Sequence, residues 1–148
     1  MSQRAPGENG RLRAAFFWLE SPQATRVMGI VGSVSGFLAV AGGAIASHAL
    51  RGRLPAERMQ IVQTALDYQF YHALALLALV ALLRHGTESP CFARAGGCFV
   101  AGTLLFCGSL WAVALSGAHA SGLLAPAGGV LLMCGWLLTA VGMVKNGH

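Results

Sequence analysis

The sequence predicts an all-α fold, an integral membrane four-helix bundle, and three observations support this prediction. Of the 148 residues, 55% are hydrophobic and only 10% are charged, whereas soluble domains carry about 25% charged residues. The apolar residues fall into four long runs, and most of the arginines lie between or outside them. Twenty glycines accompany these runs, and small residues let helices approach closely in lipid. We therefore expect one membrane domain over residues 27–144.

A polar tail is expected over residues 1–26, before the membrane domain. Its only apolar patch, residues 12–19, is too short to cross a bilayer, since a spanning helix needs about 20 residues. The composition is compatible with a helix lying in the membrane interface and equally with a disordered tail. A third alternative is that translation starts at Met28, which would remove the tail from the protein.

The first span is predicted at residues 27–50, where no charged residue occurs. Gly32 and Gly36 are four residues apart, and a second series of small residues at the same spacing consists of Ser35, Ala39, Gly43 and Ser47. Side chains four apart lie on one stripe of a helix. We therefore expect Gly32, Gly36 and Gly43 to be helix-packing positions, against which a neighbouring helix lies closely.

The second helix is expected to begin as an amphipathic, interfacial segment and then to enter the lipid. Pro55 suits the start of a helix, where its missing N–H costs nothing. Polar residues then recur at helical spacing along residues 56–66 and beyond, at Gln60, Gln63, Asp67 and Tyr71. The membrane span itself is predicted at residues 67–83, ending before Arg84.

The third and fourth spans are predicted at residues 95–117 and 122–144, as an antiparallel hairpin. The loop between them is short and carries no fixed charge. Pro126 falls in the first turn of the fourth span, where proline is tolerated. We expect Pro126, Gly128 and Gly129 to be helix-packing positions.

The distribution of Lys and Arg predicts that both termini are cytoplasmic. In that orientation seven basic residues lie inside and three, Arg51, Arg53 and Arg58, lie outside, as the positive-inside rule requires. Most of this margin comes from the tail, because four of the seven inside residues belong to it. The chain is therefore expected to cross its membrane several times.

A polar cluster is expected at the outer end of the first two helices. Its members are His48, Asp67, Tyr68, Gln69, Tyr71 and His72, with His119 on the same side. Ionisable side chains inside a span usually face a partner or a cavity. Helical spacing would let Asp67 accept a hydrogen bond from Tyr71, and would let Tyr68 bond His72. We interpret the cluster as structural polar groups that connect the first helix to the second.

Cofactor chemistry at this cluster is an alternative that lacks a motif. Three imidazoles near one surface suggest a quinone, haem or metal site, because His is the commonest metal ligand. However, no H-x-x-x-H or H-E-x-x-H pattern occurs, so we expect no metal and no cofactor. The four cysteines have no C-x-x-C spacing either, and no disulfide framework is expected.

Other function classes find little support in the residues. The basic residues are spread over tails and loops rather than one face, which argues against nucleic acid. Neither a Ser/His/Asp order nor a phosphate-binding loop occurs, so we expect no enzyme. We expect a non-catalytic protein acting by helix packing in the bilayer, as an accessory subunit of a membrane complex or as a homo-oligomer. A small-solute or proton carrier is the second alternative, although the expected midplane residues are apolar.

Several motifs in order resemble one known family. They are 43–50 (GAIASHAL), 64–77 (TALDYQFYHALALL), Phe106 with 108–110, 115–117, 126–129 and Gly135-Trp136. Together they are similar to the domain of unknown function 423 (DUF423) family, which includes transmembrane protein 256 of animals. The chain departs from the family pattern at Ala46-Ser47, at Trp111 and at Ala125. The resemblance implies a four-helix, multi-pass protein of the bacterial inner membrane whose biochemical activity is not established, and it supplies no catalytic residues.

Overall fold

A computed structural model describes residues 21–85, 89–117 and 124–145. The regular structure of these residues consists of four long helices: α1 (Pro22–Ile45), α2 (Ala56–Arg84), α3 (Pro90–Ser116) and α4 (Leu124–Lys145). A π-helical turn, Ala46–Leu50, continues α1. All four helices are long and apolar enough to cross a membrane, which confirms the predicted all-α fold with four spans. Most of the predicted tail, and His119, lie outside the described residues.

The ends of the helices follow local capping rules. α1 begins at Pro22 because Ser21 caps it, with the Ser21 hydroxyl accepting the backbone N–H of Ala24 at 3.1 Å. α2 is one continuous helix, because neither glycine nor proline interrupts residues 56–84. α3 ends at Gly117, whose φ of 71° is the left-handed conformation that glycine adopts readily.

The helices pack in chain order, and the bundle is open on one side. α1 packs along α2, α2 along α3 and α3 along α4, while α1 also touches α3. In the described residues, the backbones of α1 and α4 do not approach each other. The two outer helices of the row therefore leave one edge of the bundle uncovered, instead of closing a ring of four.

Close packing of α1 on α2 depends on small residues, but only in part on those predicted. A Cβ added to Gly32 would lie 3.2 Å from the backbone oxygen of Ala73, so only glycine fits there without a shift. Gly36 is looser, with an added Cβ 3.7 Å from the nearest atom. Gly43 has nothing within 4 Å of such a Cβ, so its prediction as a packing position was wrong. The contact is made by Gly42 instead, where a Cβ would lie 2.7 Å from Leu66.

The interface of α3 and α4 is a seam in which phenylalanines of α3, through their rings or their backbone, lie on glycines of α4. Phenylalanines recur every seventh residue of α3 and glycines every seventh residue of α4, which pair as Phe106 with Gly128, Phe99 with Gly135 and Phe92 with Gly142. A Cβ added to any of these glycines would lie 2.5 to 2.6 Å from the facing residue. Between them the contact is reversed, with Leu132 of α4 on Gly102 of α3. We call these contacts the Phe–Gly seam.

Candidate functional site

The residues of the predicted polar cluster lie on different faces of the bundle. His72 is buried and points toward α3 and α4, while the exposed His48 lies on the π-helical turn after α1. Gln69 points toward α1, where its amide donates to the backbone oxygen of Ser35 at 3.1 Å. Tyr71 faces outward and is 59% exposed. The structure therefore brings only part of the expected cluster together.

His72 makes two hydrogen bonds, and together they define its tautomer. Nδ1 lies 2.7 Å from the backbone oxygen of Tyr68, and a carbonyl oxygen can only accept, so Nδ1 carries the proton. Nε2 lies 3.3 Å from the indole nitrogen of Trp136, which can only donate, so Nε2 offers its lone pair. His72 is thus a neutral imidazole with both nitrogens engaged. The expected bond from the Tyr68 phenol is replaced by one to the Tyr68 backbone.

Aromatic rings surround this imidazole on three sides. Phe99 lies 5.4 Å from His72 and 5.2 Å from Trp136, centroid to centroid. Tyr68 lies 4.8 Å from Phe106 and 6.0 Å from His72. These separations are typical of favourable aromatic pairs. The imidazole therefore sits within a cluster of rings contributed by α2, α3 and α4.

The depth of His72 differs from the prediction. On α2 it lies close to the midpoint between Arg58 and Arg84, and Trp136 lies near the middle of α4. A hydrocarbon core about 30 Å thick, centred on the helices, would place this hydrogen bond in its middle. This central position of His72 along α2 differs from the expected outer-end position, whereas the exposed His48 does lie beyond the end of α1. The start of α2 at Ala56 agrees with the predicted lead-in at residues 56–66.

Asp67 has a different partner from the one predicted. Its carboxylate accepts a hydrogen bond from the side-chain amide of Gln63 at 3.3 Å. Within the described residues, no bond joins Asp67 to Tyr71, so that expectation was wrong. Gln60, Gln63, Asp67 and Tyr71 lie along the outer side of α2, and none of the four is buried. Asp67 and His72 therefore face different surroundings although both belong to α2.

The fourth helix contributes one of the two packing glycines that were predicted for it. At Gly128 an added Cβ would lie 2.5 Å from the backbone nitrogen of Phe106. At Gly129 it would lie 3.9 Å from the phenyl ring of Phe106. Pro126 lies in the first turn of α4, as expected, and is exposed. Gly128 is therefore the residue of this group that controls the approach of α4 to α3.

Metal-binding side chains do not gather in the described residues. No group of three or more His, Cys, Asp or Glu that could hold an ion occurs among them. The four cysteines are free thiols on α3 and α4. Among the described residues, His72 is the buried ionisable side chain whose hydrogen bonds join helices, and the outer side of α2 carries a polar surface.

The sequence contained signals for the residues that were missed. Trp136, Phe99 and Phe106 were not expected beside His72, because each looks like an ordinary apolar residue of a span. A spacing of seven in both the phenylalanines of α3 and the glycines of α4 is visible in the sequence. Applied to both spans together, it would have predicted the Phe–Gly seam.

Comparison with known proteins agrees with this architecture. Residues 42–129 match the model of a family described as "Protein of unknown function (DUF423)". The chain is 37% identical over 121 residues to the UPF0382 inner membrane protein YgdD of Escherichia coli (strain K12), covering 82% of this chain and 92% of that protein. It is 32% identical to the UPF0382 membrane protein YwdK of Bacillus subtilis (strain 168), covering 81% and 98%. No solved structure matches it.

Proposed function

The chain belongs to the DUF423 family of membrane proteins, and we propose that this multi-pass inner-membrane protein is a non-catalytic accessory subunit of a larger membrane complex. In this proposal its interior serves to hold the four helices together. Its outer helices then pack against other membrane proteins.

The observation that carries this proposal is the hydrogen bonding of His72. Both of its nitrogens are engaged by the chain itself, through the Tyr68 carbonyl and the Trp136 indole. A metal or haem iron would need the lone pair on Nε2, so Trp136 would have to turn away first. The buried imidazole therefore supports a role in joining helices rather than in binding a ligand.

The openness of the bundle is a second support. α1 and α4 lie at the two ends of the helix row, and only 17% of the most apolar stretch of α1 is buried. Exposed apolar residues are ordinary in lipid, but a helix that has one main neighbour keeps most of its surface available to others. An accessory subunit needs such surface.

The alternatives have less support from the geometry. A quinone, haem or metal site at the expected cluster would need its residues close together, and His48, Asp67 and His72 lie on different faces. A proton carrier would need a connected series of titratable groups, yet Asp67 faces outward and His72 inward on the same helix.

Purification of the tagged full chain from its native membrane in a mild detergent tests the proposal. We expect the chain to elute with other membrane proteins in a defined ratio, and its spectrum and metal content to show no stoichiometric cofactor. A chain that elutes alone, carrying a chromophore or metal that is lost in His72→Ala, would overturn the proposal in favour of the binding alternative.

A further inference from the structure

The outer side of α2 carries a polar stripe, which we define as Gln60, Gln63, Asp67 and Tyr71. These residues recur every three or four positions, so they lie on one face of the helix. None is buried by the chain, and Tyr71 is 59% exposed. The stripe therefore faces the surroundings of the bundle rather than its core.

Part of this stripe lies at the depth of lipid-facing apolar residues. Asp67 follows Leu66, which contacts Gly42 of α1. Ile45 lies one turn nearer to the end of α1 than Gly42 and is 55% exposed. Because an exposed isoleucine on a membrane-spanning helix is favoured in hydrocarbon, we infer that the bilayer reaches past the level of Asp67. The carboxylate is then about one helical turn inside the apolar region.

The contact between α2 and α3 gives the same depth for Asp67. Arg58 of α2 lies against Gly117 at the end of α3, since an added Cβ there would be 2.5 Å from its guanidinium. Leu115, close to that end, is 57% exposed. Asp67 lies more than two turns below Arg58 along α2. Two independent helices thus place Asp67 below exposed apolar side chains.

The charge of Asp67 is not balanced by the chain. Its one hydrogen-bond partner in the described residues is the neutral amide of Gln63. Arg58, on the same helix, is turned toward the end of α3. A carboxylate within hydrocarbon is costly and is normally paired. The stripe is therefore incomplete without a donor or cation from outside the chain.

A second copy of the chain, paired through α2 in a two-fold dimer, does not supply that cation. Copies inserted with the same topology pair about an axis along the membrane normal, so α2 would meet α2 at the same depth. Asp67 would then face the other Asp67, and two like charges repel in a medium of low dielectric constant. Lipid tails offer no donor at all.

We propose that the polar stripe is the docking site for a transmembrane helix of another protein that carries Arg or Lys about one turn inside the bilayer. This inference rests on the proposed function, because it names the chemistry of the partner that an accessory subunit would bind. The cation pairs with Asp67, and the amide and phenol groups beside it complete the polar contact.

Designed peptides test the charge requirement without a known partner. The full chain is labelled with a fluorescent donor and reconstituted in phosphatidylcholine vesicles. Polyleucine transmembrane helices labelled with an acceptor are added, each carrying Arg, Leu or Glu at one position about one helical turn below the membrane surface. We expect the Arg helix to associate about tenfold more tightly than the Leu helix. Asp67→Asn should remove that difference, and Asp67→Glu should retain it. Equal binding of all three helices would overturn the inference.

A matched variant separates the site from general charge. Glu57→Gln removes the same charge from the exposed first turn of α2, outside the apolar region. We expect it to bind the Arg helix as the unaltered chain does. If Glu57→Gln weakens binding as much as Asp67→Asn, the attraction is a surface effect and the stripe is not the docking site.

Photo-crosslinking in the native membrane distinguishes this inference from the proposed function. A benzoylphenylalanine replaces Tyr71 on the stripe or, as controls, Phe37 and Leu137 on the outer faces of α1 and α4. We expect position 71 to capture a protein segment containing Arg or Lys, and Asp67→Asn to abolish the capture. A captured segment without a basic residue, a second copy of the chain, or lipid adducts alone at position 71 would overturn the inference. Capture from the controls only would overturn it but leave the accessory role standing, and no protein capture anywhere would overturn both.

Discussion

Trp136 of α4 donates its indole N–H to Nε2 of His72 on α2, across 3.3 Å between the two nitrogens. The backbones of these two helices do not approach each other within the described residues. The hydrogen bond therefore joins the side chains of two helices whose backbones are not in contact, and the ring of Phe99 from α3 lies beside both residues.

Replacing the indole tests whether this bond contributes to stability. Trp136→Phe keeps a ring against Phe99 but removes the N–H, so Nε2 of His72 loses its donor. We expect the free energy of unfolding in detergent to fall by about 1 kcal/mol, the typical value for a hydrogen bond inside a membrane protein. In His72→Leu, the further change Trp136→Phe should cost much less. Additive losses in that double-mutant cycle would contradict the bond.

The Phe–Gly seam should be intolerant of even one methyl group. At Gly128 an added Cβ would lie 2.5 Å from the backbone nitrogen of Phe106, which cannot rotate away. We expect Gly128→Ala to lower the free energy of unfolding by about 1–3 kcal/mol, as overpacking does. Gly108→Ala is the matched control, since nothing lies within 4 Å of a Cβ there. It should be neutral or slightly stabilising, and equal effects at both sites would contradict the seam.

Two glycines with left-handed backbone separate strain from contact. Gly52 and Gly117 have φ of 83° and 71°, so alanine costs about 1 kcal/mol or more at either one. At Gly117 it would also displace the Arg58 guanidinium, whereas Gly52 has nothing within 4 Å. We therefore expect Gly117→Ala to have the larger effect on the thermal unfolding temperature. A larger effect of Gly52→Ala would mean that Arg58 does not hold the end of α3.

The sidedness predicted from the basic residues can be measured by labelling. In a chain with its four cysteines replaced by alanine, Arg53→Cys should react with an impermeant maleimide applied to intact cells. His85→Cys, on the opposite end of α2, should react only after the membrane is permeabilised, because the positive-inside rule puts that end in the cytoplasm. The reverse pattern of labelling would place both termini outside.

The sequence sufficed for the fold because its strongest signal is physical and local. Four predominantly apolar runs, of which only the second contains a charged residue, Asp67, need helices in a bilayer, since unpaired backbone groups are too costly in lipid. The ends were less predictable. α2 is long and apolar enough to cross a membrane over Ala56–Arg84, and the polar residues Asp67 and Tyr71 within it are the reason that the sequence predicts a span beginning only at residue 67.

The contents of the site were harder to predict than the fold. Gln69, Asp67 and His72 were expected to act together because they are neighbours in the sequence. A helix turns by 100° per residue, so His72 faces Trp136 while Asp67 faces outward. The packing of α3 and α4 determines which side of α2 is covered. That packing depends on the glycines of α4, and their role is visible only when the sequences of α3 and α4 are aligned with each other.

The regular spacing within the Phe–Gly seam also limits how these two helices can be assembled. Sliding α4 along α3 by two turns would still set two of the three phenylalanines on glycines, so the alignment is nearly degenerate. The contact of Leu132 with Gly102, the hydrogen bond from Trp136 to His72 and the short linker after Ser116 distinguish the native alignment from its neighbours. If the chain were cut at that linker, the two fragments could reassociate with α4 displaced by two turns along α3.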